Sequence, residues 1–177
     1  MAADDGCHRA EERIARWVRE HARSVRGYLL GLIRRPDVAD DLVQEVFQRA
    51  WRARDRYRDE GHERAFLLKI ADRLGIDRCR RLGLEVNVDD ATWHEIEPAA
   101  PTEMPVDELG RGETSDELAA ALDRLTPAQR RVLLLRYFGS LTFEEIASTL
   151  GCPLGTALSH CRRGLAAMRK LLTADKS

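Results

Sequence analysis

The stretch Asp41-Leu42-Val43-Gln44-Glu45-Val46-Phe47-Gln48-Arg49-Ala50-Trp51 decides how this chain folds. Wound as a helix, it lines up Leu42, Val46, Phe47, Ala50 and Trp51 as an apolar stripe and leaves Asp41, Gln44, Glu45, Gln48 and Arg52 on the other side. Such a stripe must be buried against a core, so its neighbours have to supply matching apolar faces. The polar side is compatible with plain solvation or with a partner, and periodicity does not separate the two.

The neighbours read as helices. Ile14, Trp17, Val18, Val25, Tyr28, Leu29, Leu32 and Ile33 recur at helical spacing over residues 9–34, and Pro36 stops that helix. Asp37 is placed to N-cap the helix that follows, which runs to residue 54. Residues 55–62 are polar and contain Gly61, hence a loop. A third helix over 63–82 turns Phe66, Leu67, Ile70, Leu74 and Ile76 inward and Lys69, Arg73, Arg78, Arg80 and Arg81 largely outward, with Gly83 closing it. Residues 84–114 carry Pro98, Pro101 and Pro105 among many acids without sustained periodicity, the pattern of a flexible linker.

Beyond the linker, helix starts are marked by capping boxes. Thr114 with Glu117, Thr126 with Gln129 and Thr142 with Glu145 each pair a hydroxyl residue with a Glu or Gln three positions on, so that each side chain can satisfy a free backbone N–H. The expected helices are 115–125, 127–138, 143–150 and 154–172, with Gly139 and Gly151 ending the second and third. The third, a short turn and the longer basic helix form a helix-turn-helix pattern, in which Ala147 permits close crossing. No strand pattern is present. The expected fold is all-α: two small helical domains, 1–83 and 115–177, joined by an acidic flexible linker over 84–114.

Charge follows the same division. Residues 1–83 hold 19 Lys/Arg against 15 Asp/Glu, residues 84–117 hold 1 against 11, and residues 118–177 hold 9 against 4, so a net charge of −1 conceals two basic ends around an acidic middle. Basic ends point to nucleic acid as their partner. No apolar run approaches the roughly 18 residues of a spanning helix, so no membrane insertion and a cytoplasmic location are expected. Cys7, Cys79, Cys152 and Cys161 lack zinc-finger or redox spacing and read as reduced thiols, while a metal role for the adjacent Cys7 and His8 stays open. No nucleotide-binding Gly-rich loop, clustered metal ligands or nucleophile motif is found, so neither enzymatic activity nor a cofactor is expected.

The 41–51 string closely resembles the core-polymerase-binding helix of bacterial extracytoplasmic-function sigma factors, the group IV members of the sigma-70 family. The string Leu125-Thr126-Pro127-Ala128-Gln129-Arg130-Arg131-Val132-Leu133-Leu134-Leu135-Arg136-Tyr137-Phe138, the 142–151 segment, and Gly155, Thr156 and Ser159 resemble the promoter-binding C-terminal domain of the same group. Arg64-Ala65-Phe66-Leu67-Leu68-Lys69-Ile70-Ala71 is similar to the part of its first domain that opens the minus-ten element. The resemblance implies a sigma factor that binds core RNA polymerase and promoter DNA, melts the minus-ten region, and is held inactive by an anti-sigma factor.

Carried over residue by residue, it assigns Asp41, Gln44, Glu45, Gln48 and Arg52 to polymerase. Arg56, Tyr57, Arg58, His62, Lys69, Arg73, Arg78, Arg80 and Arg81 fall to the minus-ten element. Thr156, Leu158, Ser159, His160, Arg162 and Arg163 fall to the minus-thirty-five element. The acidic linker would thread through polymerase near the template and the RNA exit path.

This chain departs from the family pattern at Phe66, where Trp is usual, at Arg73, where Asn is usual, and at Leu158 and His160, where members carry cations. An Arg at 73 contacts phosphate but does not offer the paired donor and acceptor of Asn. Two missing cations would flatten the salt dependence of DNA binding by up to about two log–log units, with His160 expected as an exposed, neutral side chain beside DNA. The competing reading is an autonomous helix-turn-helix regulator with a helical partner-binding domain, which would bind a palindrome as a dimer without polymerase.

Overall fold

The structure, a computed structural model, describes residues 2–54, 57, 61–84 and 115–174, with side chains described at all of these except 2–9, 115 and 174. Seven helices make up the described chain: α1 (Ala2–Ile33), α2 (Pro36–Arg52), α3 (Glu63–Arg81), α4 (Ser115–Asp123), α5 (Pro127–Tyr137), α6 (Phe143–Leu150) and α7 (Leu154–Ala174). No strand occurs among the described residues. The helices fall into two compact units, α1 to α3 and α4 to α7.

In the first unit each helix packs on the other two. Trp17, Val25, Tyr28, Leu29, Leu32 and Ile33 of α1 are buried, as their spacing predicts, but Val18 is 39% exposed and His21 takes an inward position. The join between α1 and α2 differs from the expected cap. Arg34 sits in the left-handed region at φ 61, its N–H returns to the Leu30 carbonyl at 2.8 Å, and Pro36 opens α2. Proline's missing N–H and fixed φ suit a first helical turn, so Arg35 is the capping position and Asp37 lies within the first turn of α2.

α3 is held to α1 by three contacts one helical turn apart. The Tyr28 hydroxyl donates to Asp72 Oδ1 at 2.5 Å, both groups buried; Gly75 faces Leu29 and Leu32; and Cys79 Sγ lies 3.9 Å from the Leu32 carbonyl. A Cβ on Gly75 would stand 2.6 Å from Leu32 Cδ2, so glycine here permits the close crossing. Phe66, Ile70 and Ile76 are only half-buried, because Leu68, Ala71, Asp72 and Gly75 occupy the inner face. Gly83, at φ 68, ends the helix as expected.

In the second unit α7 contacts α4, α5 and α6. Both described capping boxes form: Thr126 and Gln129 exchange two hydrogen bonds of 3.3 Å, and Thr142 and Glu145 exchange bonds of 2.9 and 3.2 Å. The Thr114 box lies outside the described residues. Gly151 caps α6 at φ 69, but after α5 it is Ser140, at φ 52, and not Gly139 that takes the left-handed conformation. Ile146 is the buried residue of α6 while Ala147 is half-buried. The tight approach belongs to Gly164 of α7, where a Cβ would meet Leu133 Cδ1 at 3.0 Å.

Candidate binding surfaces

α2 separates its faces as the periodicity requires. Val38, Ala39, Leu42, Val46, Phe47 and Ala50 are buried, while Asp41, Gln44, Gln48 and Arg52 are exposed and Glu45 is half-buried beside them. Trp51 is half-buried at the edge of the stripe, with the Arg54 guanidinium 4.4 Å over its ring and Arg54 Nη1 donating to the Trp51 carbonyl at 3.0 Å. Glu45 accepts from Arg49 at 2.7 and 3.1 Å, so the face is less acidic than its carboxylates suggest. The i,i+4 spacing of Glu45 and Arg49 was the signal for this pair. Beside Asp41, Asp40 accepts from Arg26 Nε at 2.6 Å, and that hydrogen bond holds its carboxyl below the usual carboxylate range.

On α3, Lys69, Arg73 and Arg80 recur at four and seven residues and share a face. Arg73, Arg80 and Arg81 are exposed and Lys69 and Arg78 half-buried; Asp77 lies 3.9 Å from Arg80 and tempers the charge. His62 is exposed just before the helix. Tyr57 is placed differently from the rest, because its ring belongs to an aromatic cluster. It meets Trp17 edge-on at 4.9 Å and Phe66 at 4.9 Å, with Trp17 and Phe66 6.1 Å apart. These contacts leave the Tyr57 side chain half-buried. Arg56 and Arg58 lie outside the described residues. Arg13, which sequence reasoning did not single out, donates from Nη2 to the Arg54 carbonyl at 3.0 Å and anchors the chain as it leaves α2.

On α7 the six expected residues divide. Arg162 and Arg163 are exposed, whereas Thr156, Leu158, Ser159 and His160 are 1%, 7%, 5% and 2% exposed. Residues 156–161 are buried without a break, and since successive residues of a helix point about 100° apart, this stretch is covered all round. The expectation of an exposed His160 is therefore corrected. Burial, aided by Arg163, holds its imidazole pKa below the ordinary value and keeps it neutral. Within the set, Arg162 and Arg163 are the exposed members.

Cys79, Cys152 and Cys161 are buried free thiols, and burial pushes the Cys161 pKa up to about 11, leaving it protonated and weakly nucleophilic. The side chains of Cys7 and His8 lie outside the described residues, as do the acids of the linker. Among the described residues no helix is long and apolar enough to cross a membrane.

Comparison with known proteins follows the two units. Residues 17–84 match the family model of sigma-70 region 2, and residues 115–168 match that of sigma-70 region 4. The chain is 28% identical over 149 residues to the ECF RNA polymerase sigma factor SigK of Mycolicibacterium vanbaalenii, covering 84% of this chain and 76% of that one. It is 34% identical over 164 residues to the ECF RNA polymerase sigma factor SigE of Mycolicibacterium smegmatis, covering 90% of this chain but 62% of the longer relative. Among solved structures, the fold is similar to the sigma factor RpoE of Bartonella quintana in complex with the anti-sigma factor NepR, with TM-score 0.71, 22% identity, and 93% and 99% of the two chains covered. It is also similar to CnrH in complex with the cytosolic domain of CnrY, with TM-score 0.67, 21% identity, and 93% and 90% covered.

Proposed function

Because this chain belongs to the extracytoplasmic-function group of the sigma-70 family, we propose that the exposed face of α2 is where it docks on core RNA polymerase. It is a sigma factor: it binds core enzyme, directs it to promoters and initiates transcription without catalytic chemistry of its own. The observation carrying the docking reading is the clean partition of α2, with Asp41, Gln44, Glu45, Gln48 and Arg52 together opposite the buried stripe. A charged rim of this kind sets encounter rate and orientation while apolar neighbours supply affinity, and the half-buried Trp51 lies beside it.

The minus-ten reading rests on Lys69, Arg73, Arg78, Arg80 and Arg81 along α3 and on Arg56, Arg58 and His62 before it. Tyr57 contributes through the cluster with Trp17 and Phe66, shaping the loop's end. Extruding a base costs a few kcal/mol, so the loop must offer a fitted pocket in return. The minus-thirty-five reading rests on the exposed Arg162 and Arg163, with Thr156, Leu158, Ser159 and His160 buried on the same helix. The proposed division of labour is residues 1–83 for polymerase and minus-ten, 84–114 as tether, and 115–177 for minus-thirty-five.

Two further parts of the reading come from relatives. The similar Bartonella quintana structure is of the sigma factor RpoE in complex with the anti-sigma factor NepR, which supports control of this chain by an anti-sigma factor. A partner of core polymerase works in the cytoplasm, so that is the proposed location.

The test is co-elution of the purified chain with bacterial core RNA polymerase, comparing wild type with a Gln44→Ala/Glu45→Ala variant. Stoichiometric co-elution that the double substitution weakens is the expected result. Co-elution unaffected by it would move the docking face elsewhere, and a folded wild type that binds a DNA palindrome as a dimer while ignoring polymerase would favour the autonomous regulator.

A further inference from the structure

His21 is a buried polar group, among the described residues of the first unit, that neither the docking face nor the DNA set explains. It is 5% exposed, and neither ring nitrogen has a hydrogen-bond partner. Leaving an imidazole in this condition costs free energy, and buried polar groups in native proteins are nearly always satisfied by protein, water or an ion. Its surroundings supply the missing clue. Nε2 lies 3.9 Å from Glu20 Oε2 and 3.9 Å from Glu63 Oε1, and Glu63 Oε2 is itself buried without a hydrogen-bond partner.

At 3.9 Å no hydrogen bond joins these atoms. Tetrahedral zinc, with bonds of about 2.0–2.1 Å, holds its ligand atoms about 3.3 Å apart, so each 3.9 Å separation is about 0.6 Å wider than a filled site would have. One ligand atom from each of the three residues falls within 4.8 Å of the others. Closing that gap asks for a shift of about 1 Å, which the half-exposed Glu20 side chain can make. We propose that Glu20, His21 and Glu63 bind a single divalent transition-metal ion of zinc's class, with water entering on the exposed Glu20 side to complete the shell.

The ligand chemistry selects the class. Two carboxylates neutralise a dication, and the imidazole nitrogen favours zinc and its neighbours over Mg²⁺ or Ca²⁺, which prefer all-oxygen shells. Burial first, and Arg64 next, hold the His21 pKa below its ordinary value, so the ring presents the neutral form that ligates metals. Arg64 and Arg16 also act as cations near the site, which disfavours ions held by charge alone. Glu20 and His21 sit mid-way along α1, while Glu63 is the first residue of α3. An ion here pins the start of α3, directly after His62, to the neighbouring helix. The site itself does not depend on the polymerase or promoter reading.

The experiment uses the full chain stripped with a chelator and titrated with Zn²⁺ alone by calorimetry, with Co²⁺ as a spectroscopic substitute. Expected are one equivalent bound, a rise of several degrees in thermal midpoint at roughly 100 times Kd, and a cobalt spectrum without thiolate charge transfer. Glu20→Gln and Glu63→Gln should each weaken binding by about 10-fold or more. Glu20 is half-exposed, so its variant remains informative even if His21→Asn fails to fold. Absence of Zn²⁺ uptake by wild type, uptake unchanged in both Glu variants, or thiolate charge transfer from cobalt would each overturn the proposal.

Discussion

His160 shows how one residue's environment reverses its expected behaviour. As a solvated side chain it would titrate near neutrality without consequence, but buried within 156–161 its folded pKa is lowered, chiefly by desolvation. The unfolded chain therefore takes up the proton first as pH falls. The stabilising contribution is complete above the unfolded imidazole pKa, about 6.5, and is lost progressively as pH drops through that value toward the lowered folded pKa. Urea unfolding at about pH 7.5 and about pH 5.5 should show lower stability in acid, and His160→Gln should reduce the difference, with the buried His21, whose pKa is also lowered, contributing to the remainder. Leu158→Arg with His160→Arg, which would restore cations usual in the family, places two charges in a covered stretch, so loss of stability should precede any gain in DNA affinity. Gly75 and Gly164 were illegible beforehand because a glycine within a helix discloses nothing of what stands opposite. Leu32 and Leu133, distant in sequence, give them their roles.

Helices were the most legible level of this chain, since apolar spacing and capping boxes are local signals. The Thr142 box has both reciprocal bonds, so Thr142→Ala should cost about 1 kcal/mol, read as a lower urea midpoint with unchanged slope. Helix ends were less legible where local rules compete. Pro36 could stop one helix or start another, and the left-handed Arg34 lets it start α2. α7 was legible as a helix-turn-helix element but not in what covers it, because a helix displays its apolar run without saying how many sides are packed. With Arg162 and Arg163 its exposed cations within the minus-thirty-five set, Arg162→Ala/Arg163→Ala should weaken promoter binding and reduce the salt slope by about two. A slope unchanged by the double substitution would place phosphate contacts elsewhere.

For the whole molecule, the acidic segment distinguishes a tether from an active part. If its carboxylates, Asp89, Asp90, Glu95, Glu97, Glu103, Asp107 and Glu108 among them, occupy cationic polymerase surfaces, shortening the chain by residues 88–108 should impair initiation more than core binding. Equal retention of both, measured by run-off transcription beside co-elution, would leave it a plain tether. Sequence by itself determined the all-α class, the positions of the helices and the polar face of α2, because each follows from spacing within a few residues and from charge along the chain. Tertiary structure alone decided that Tyr57 joins Trp17 and Phe66, that Tyr28 bonds Asp72, that His160 is enclosed, and that Glu63 meets His21. Those pairings join residues brought together by helix packing, and no local period encodes which side chain will stand across from which.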